Sequence, residues 1–269
     1  MNTTSAVAAD QHGRGAATEM ALVVAAYLAY SALRIVVEGS FPRAESNARS
    51  VIDIERFVGI DWELGAQDWV LTRPHWVSFW NMVYQWIYWP TVGAALIILW
   101  RRDRRHYRLL RNTLIISAAI GIAIFLLWPV SPPRFLDGYV DTIHGGDQGV
   151  LGKPAALTNE HAAVPSFHVA WPAAAGVMVA WGSRLRIVQL LAIVPAMLLA
   201  PAVVFTANHF VFDIIVGLVV VSIAYWLAIR PPAPRSITRR WMTRRRRSSS
   251  RQLDTLATGF SASGEHPIT

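Results

Sequence analysis

Cysteine is absent from the 269-residue chain, and Lys153 is its only lysine. The first absence excludes disulfides and thiolate chemistry and removes any record of the redox compartment. The second leaves arginine as the cation used almost throughout, a bias that reflects coding base composition more than chemistry. Charge itself is scarce: 16% of residues are charged against 54% hydrophobic, and a single carboxylate, Asp213, stands between Glu160 and Asp254. Apolar residues gather in blocks rather than at amphipathic intervals, which excludes an ordinary soluble domain and points to an integral membrane protein.

A bilayer core about 30 Å thick takes roughly 20 helical residues to cross. Six apolar stretches approach that length, at 20–37, 76–100, 109–130, 167–181, 187–206 and 210–229, the fourth being the shortest. The expected architecture is all-α: a bundle of six transmembrane helices over 20–230, flanked by a polar N-terminal tail at 1–19 and a basic, disordered cytoplasmic tail at 231–269. Pro90, Pro172, Pro195 and Pro201 fall inside the stretches, where neighbouring helices can satisfy the carbonyls that a proline frees, so kinks rather than loops are expected. The first stretch runs into Arg34 and Glu38 without a small-residue cleavage pattern and reads as an uncleaved span, not a signal peptide. No internal repeat and no second soluble domain stands out.

Basic residues mark one side of the membrane. Arg101, Arg102, Arg104, Arg105, Arg108 and Arg111 fill the connection between spans two and three, Arg184 and Arg186 lie between four and five, and RRWMTRRRR at 239–247 follows the sixth. The positive-inside rule makes these connections and both termini cytoplasmic, and the remaining connections outward. A basic tail beside a span serves first as a topology signal, so membrane lipids rather than nucleic acid are the expected surroundings. The oligomeric state is not legible. In the outward connection between spans one and two, VIDIERFVGIDWELGAQDWV at 51–70 mixes acids and tryptophans at helical spacing. It reads as a helix lying in the interface, a structural collar rather than a source of catalytic groups.

Three outward pieces carry chemistry. SPPRF at 131–135 ends span three, and Arg134 taken alone could be a snorkelling anchor. AAVPSFHVAW at 162–171 opens span four: Ser166 is a candidate N-cap, the N–H groups from Phe167 onward point outward as an anion site, and His168 lies in the first turn. NHFVFD at 208–213 opens span six, where His209 and Asp213 at i and i+4 share one face. The carboxylate can orient one imidazole nitrogen and leave the other as acceptor or nucleophile. The topology comes from arginines elsewhere, yet it brings Arg134, His168 and His209 to the outer ends of three different helices. Ionisable residues at membrane depth are costly and signal function.

An arginine, a serine-headed helix start and two histidines suit a phosphate. Arg134 can fork to two phosphate oxygens, and Ser166 with the Phe167 N–H can hold a third. One histidine can attack phosphorus while the other protonates the leaving oxygen. His168, His209 and Asp213 could instead supply three zinc ligands. Asp213 is placed to orient His209, however, and an arginine would repel a cation beside it, so neither a metal nor another cofactor is expected.

In order and approximate spacing, PPRF, PSFH and HFVFD resemble the three signature motifs of the type 2 phosphatidic acid phosphatase superfamily. DIERFVGIDWELGAQDW, SPPRF, VDT at 140–142, NEHAAVPSFHVAW and TANHFVFDIIVG look closest to its inositolphosphotransferase-like branch, which includes inositol phosphorylceramide synthase; the match runs over 51–217. The resemblance implies a six-helix membrane fold with His209 as the nucleophile that becomes phosphohistidine, Asp213 as its partner, His168 as general acid and then base, and Arg134 and Ser166 on the phosphate. It also shows two departures. Leu127 stands where the phosphatase motif has lysine, and Ala202 and Val203 stand where it has a Ser-Arg pair. Both shift the chain toward the transferase-like branch and suggest a less cationic pocket with room for a head group. Asp141, Asn159 and Trp171 match that branch, with structural roles expected, and Lys153 could approach the phosphate from its loop.

The leading expectation is a metal-independent membrane phosphatase for a lipid phosphate or lipid pyrophosphate, with an extracytoplasmic site. The alternatives are a phosphotransferase that passes a phospho-head group to an alcohol such as inositol, and an inactive scaffold or transporter. Tail selectivity resides in packing between helices, so the lipid and the pathway are not legible.

Overall fold

The computed structural model describes residues 15–36, 41–143 and 162–230. Among these the regular structure is helical, with one isolated parallel bridge between Val130 and Ala162. The helices are α1 (Ala16–Val36), α2 (Phe41–Val58), α3 (Glu63–Leu71), α4 (Pro74–Trp86), α5 (Tyr88–Arg102), α6 (Arg104–Leu127), α7 (Phe167–Trp181), α8 (Arg186–Leu191), α9 (Val194–Phe205) and α10 (Val211–Ile229), with a 3-10 turn at Pro133–Phe135.

Four helical segments are long and apolar enough to cross a membrane: Pro74–Arg102, Arg104–Leu127, Arg186–Phe205 and Val211–Ile229. They correspond to expected spans two, three, five and six. The other two are shorter apolar helices, Ala17–Leu33 and Phe167–Trp181, so six spans of full length are not what the described residues form. The two tails, Lys153 and Asn159 lie outside the described residues.

The prolines divide into two kinds. Span two is interrupted at Ile87 with Pro90 in the first turn of α5, and span five is interrupted before Pro195 in the first turn of α9. A first-turn proline gives up an N–H that has no intrahelical acceptor anyway, so the helix restarts there at little cost. Pro172 and Pro201 instead sit inside continuous helices. The expected interfacial helix at 51–70 is also two helices rather than one. α2 stops at Val58, Gly59 takes the left-handed conformation (φ 78°) that suits a helix C-terminus, and α3 starts at Glu63.

α10 packs chiefly along α6, and α7 is embedded among α5, α9, α10 and α6. That burial explains why α7 is apolar all round: Ala170, Ala175 and Met178 join Leu110, Leu199, Val203 and Val220 in the core. Close approach needs glycine at two crossings. A Cβ on Gly217 of α10 would lie 2.5 Å from the Ser166 carbonyl oxygen, and one on Gly176 of α7 would collide with the backbone of Ala192. At the arginine-rich end, Asp103 is the whole turn between α5 and α6 and caps α6 by accepting from the N–H groups of Arg105 and His106. Glu19, an acid in the first turn of α1, is buried because Tyr107 and Arg111 of α6 both donate to it. α6 spans roughly 36 Å at 1.5 Å per residue, so SPPRF lies a full bilayer core away from those arginines.

Candidate active site

At the far end of α6, backbone pairing assembles the three motif segments. The Ala163 N–H donates to Val130 O at 3.0 Å, the Arg134 N–H to Ala207 O at 2.9 Å, and the Ser166 N–H to Asp213 O at 3.0 Å. Each bond joins two of the pieces that sequence reading treated separately. Arg134, Ser166, Phe167, His168, His209 and Asp213 therefore lie on segments that meet in one place.

His209 lies just before α10 and Asp213 in its first turn, so the pair meets across a helix start rather than along one helical face. The Nδ1–H of His209 donates to Asp213 Oδ2 at 3.1 Å, and the same oxygen accepts from the Phe210 N–H at 3.0 Å. With Nδ1 committed to the carboxylate, Nε2 is the nitrogen the ring can offer an electrophile. Asp213 is fully buried and His209 is nearly so. The turn before them is tight: the N–H groups of Asn208 and His209 both converge on Val203 O, and Ala207 is held at φ 50°. A left-handed alanine costs about 1 kcal/mol, and the Arg134 N–H bond to its carbonyl helps keep it there.

His168, on the first turn of α7, faces His209 across the site with ring centroids 6.0 Å apart. Tyr84 and Tyr88 hold it from both sides: Tyr84 stacks at 4.7 Å and 15°, and Tyr88 lies at 4.5 Å and 31°. These tyrosines come from either side of the α4–α5 break. Sequence reading missed them because two tyrosines in an apolar span read as lipid-facing or core aromatics.

Ser166 occupies the N-cap position of α7, but its hydroxyl makes no capping bond, contrary to expectation. Its Oγ is buried with no hydrogen-bond partner among the described residues. The first N–H groups of any helix also lack intrahelical acceptors. The Phe167 side chain takes no part in this: it stacks on Trp171 at 4.9 Å and packs where Gly121 leaves space, so only its backbone can serve an anion. Trp171 is buried as expected and donates from Nε1 to Ser117 Oγ at 3.1 Å.

Arg134 is no snorkelling anchor. Its Nη1 donates to Asn208 Oδ1 at 2.6 Å, and Nε lies 3.4 Å from Asp141 Oδ2, close enough to pair charges but not aligned for a hydrogen bond. Asn208 is itself fixed, donating from Nδ2 to both Thr206 O and Thr206 Oγ1. Two carboxamides place Asp141. Gln67 of α3 exchanges two hydrogen bonds with the backbone of Val140, and Asn81 of α4 exchanges two with Thr142. The VDT stretch is thus clamped on both sides of its aspartate. An amide inside an apolar span, as at Asn81, was the signal available in the sequence.

The acids of α2 and α3 reach the site from below. Glu63 Oε1 accepts from the Val211 N–H at 2.8 Å and Glu55 Oε1 from the Phe212 N–H at 2.7 Å. Both carboxyl groups are buried. Burial pushes Glu55 up to about 9; the Phe212 N–H opposes this, and the charges of Glu63 and Asp213 add to it.

The two departures from the phosphatase motif lie in different surroundings. Leu127 is 74% exposed at the end of α6, and its carbonyl accepts from Arg43 of α2. Val203 is fully buried in the core, so the missing arginine leaves packed alkyl groups there rather than the open space expected for a head group. Among the described residues no three histidine, cysteine, aspartate or glutamate side chains are grouped to hold a metal ion.

The arrangement is thus two opposed imidazoles, one backed by a buried carboxylate, beside a guanidinium and a helix start with an unused hydroxyl. Such a set can bind a tetrahedral anion and exchange one of its ligands. No curated protein and no solved structure matches the chain. A protein-family model described as the PAP2 superfamily matches residues 49–227, and proteins of that superfamily are generally phosphatases or phosphotransferases. That match covers well over half of the sequence and contains every residue placed in the site above, so the chain belongs to the PAP2 superfamily.

Proposed function

We propose that the protein is a multi-pass membrane phosphatase that hydrolyses a lipid phosphate or lipid pyrophosphate through a phosphohistidine on His209. The observation that carries this reading is the buried, unpartnered Ser166 hydroxyl at a helix start, bonded through its backbone to the residue that orients His209. A buried hydroxyl without a partner among the described residues calls for an acceptor or donor that those residues do not supply, and a phosphate oxygen at a helix N-terminus is such a group.

The Nε2 of His209 attacks phosphorus, the bond from phosphorus to the leaving oxygen breaks, and His168 gives that oxygen its proton. Asp213 supports the positive imidazole formed by the attack. His168 then takes a proton from water as the water oxygen attacks phosphorus, and the bond to His209 breaks. Arg134, steered by Asn208 and Asp141, and the first turn of α7 with Ser166 hold the phosphate oxygens throughout. The gap of 6.0 Å between the imidazole centroids fits one phosphoryl group, since nucleophile and acid each act within about 3 Å of the atoms they serve. The arginine-rich ends of α5 and α6 lie at the opposite end of the bundle, which supports, through the positive-inside rule, a site at the outer face with both termini in the cytoplasm. α2 and α3, with Phe57, Trp62 and Trp69 exposed, lie in the interface as a collar around that mouth.

The test is phosphate release by the purified protein from short-chain lipid phosphates and pyrophosphates, with acid-labile labelling of His209 during turnover. Wild type should release phosphate without any added alcohol, and His209→Ala should not. Product that forms only when inositol or another polyol is present would replace hydrolysis by phosphotransfer, the reading favoured by the motif likeness to the inositolphosphotransferase-like branch. Undiminished turnover in His209→Ala would remove the phosphohistidine.

A further inference from the structure

The acids of the collar have no obvious reason to be inside the protein. α2 is amphipathic, and the other acids of this region stay outside: Glu45 pairs with Arg49, Asp53 and, between the helices, Asp61 lie near Arg56, and Asp68 is exposed. Glu55 and Glu63 instead turn inward, bury their carboxyl groups completely or nearly so, and spend an oxygen each on consecutive N–H groups at the start of α10. Asp213 takes the preceding one, that of Phe210. Three carboxyl groups from three helices therefore close the N-terminus of the helix that carries Asp213 and directly follows His209.

A helix start left open attracts anions. Two helix starts lie at this site, those of α7 and α10, and a phosphate bound at the wrong one would not be in line with His209. Filling the α10 amides with protein carboxylates leaves the α7 turn to the substrate. The same bonds anchor the backbone at 211 and 212, two and three residues after His209, to a segment more than 140 residues earlier in the chain.

We propose that Glu55 and Glu63 are positioning residues for the nucleophile: they hold the first turn of α10 and exclude the substrate phosphate from it, so that His209 Nε2 is presented to phosphate bound at α7. This rests on His209 being the nucleophile. The arrangement is stable while Glu55 keeps its proton. Glu55, held up to about 9 chiefly by burial, keeps its proton at neutral pH. The groups around it are Glu63 from α3, Asp213 from α10 and Tyr139 from the loop after the 3-10 turn, with Arg56 and Asp61 farther out at the surface. Loss of the proton near pH 9 leaves a charge on a carboxyl that the fold has removed from water at the foot of α10.

The experiment uses the full chain in detergent with a short-chain lipid phosphate as substrate, and measures kcat, KM and melting temperature from pH 6 to 10. In Glu55→Gln the amide oxygen still accepts from Phe212, and the uncharged side chain stands in for the protonated acid. Its kcat at neutral pH should stay within about threefold of wild type, while the wild-type loss of activity around pH 9 should disappear. Glu55→Ala and Glu63→Ala should lose kcat by on the order of 10- to 100-fold with KM unchanged or lower, as expected when phosphate is bound but misplaced. If the alanine variants only melt earlier, with kcat of the folded enzyme within twofold, the acids are structural and the proposal fails. It also fails if Glu55→Gln keeps the wild-type alkaline loss. His209→Ala, assayed alongside, separates these failures from failure of the nucleophile assignment, because activity in that variant would discredit the assignment whatever the glutamate variants do.

Discussion

Gly217→Ala is the substitution that should damage the proposed activity most for the smallest chemical change. One methyl group added at position 217 of α10 would sit 2.5 Å from the Ser166 carbonyl oxygen, 3.1 Å from its carbon and 3.3 Å from Ala170 Cβ. Ordinary contact begins near 3.4 Å, so α10 and the start of α7 must separate by about 1 Å. That movement opens the 3.0 Å bond from the Ser166 N–H to Asp213 O, which couples the proposed phosphate cradle to the residue that orients His209. Overpacking of this kind costs roughly 1–3 kcal/mol of stability. A displacement of about 1 Å at reacting groups costs on the order of 100-fold in rate. Gly176→Ala provides the control: its Cβ would meet the Ala192 backbone, an equally severe clash, but on α7 roughly 14 Å along the helix from Phe167. Both variants should melt earlier than wild type, whereas only Gly217→Ala should lose kcat on a short-chain lipid phosphate, by about 100-fold. Equal losses of kcat in the two variants, or wild-type kcat in Gly217→Ala, would refute the argument that α10 and α7 register sets the catalytic geometry.

Asn208→Ala removes the acceptor that steers Arg134, a hydrogen bond to a charged group worth about 1.5–3 kcal/mol, so kcat/KM should fall between about 10- and 100-fold while folding persists. Tyr84→Leu and Tyr88→Leu should slow hydrolysis of alkyl phosphates more than that of nitrophenyl phosphate, which needs less help from His168 in departing, and Tyr→Phe at either position should restore the rate because the ring face is kept. Stability should also depend on pH through Glu55. Its carboxyl lies at about 9 when folded, above its ordinary 4.5, so its contribution is complete below about 4.5 and is lost as pH rises toward about 9. The melting-temperature profile of Glu55→Gln should be flatter than that of wild type across this window, and parallel profiles would contradict the burial of a protonated acid.

The amino-acid sequence by itself points to a membrane as the solvent and picks out the residues proposed for the chemistry. Apolar blocks of span length can only be helices, because in hydrocarbon every backbone polar group must be satisfied within its own segment. Arg134, Ser166, His168, His209 and Asp213 were legible because charge in such blocks is rare enough that each instance demands a reason, and the i, i+4 spacing of His209 and Asp213 is a local geometric fact. What the tertiary structure decided depends on contacts between residues far apart in the chain. No periodicity in 51–70 says that Glu55 and Glu63 turn inward to close α10, since the N–H donors to their carboxyl groups, at Val211 and Phe212, are more than 140 residues away. Asn81, Gln67 and Asp141 become a mount for Arg134 only when α3, α4 and the VDT loop meet. Tyr84 and Tyr88 become a clamp only because α4 and α5 break at Ile87 beside α7. Of the two roles open to Ser166 in the sequence, a cap for α7 and a phosphate contact, folding removes the first: its hydroxyl makes no capping bond and is buried with no partner among the described residues. Local spacing can specify a hydrogen bond within one turn of helix, whereas long-range pairings follow from how helices cross, and at both close crossings that is set by a glycine whose missing side chain leaves no pattern to read.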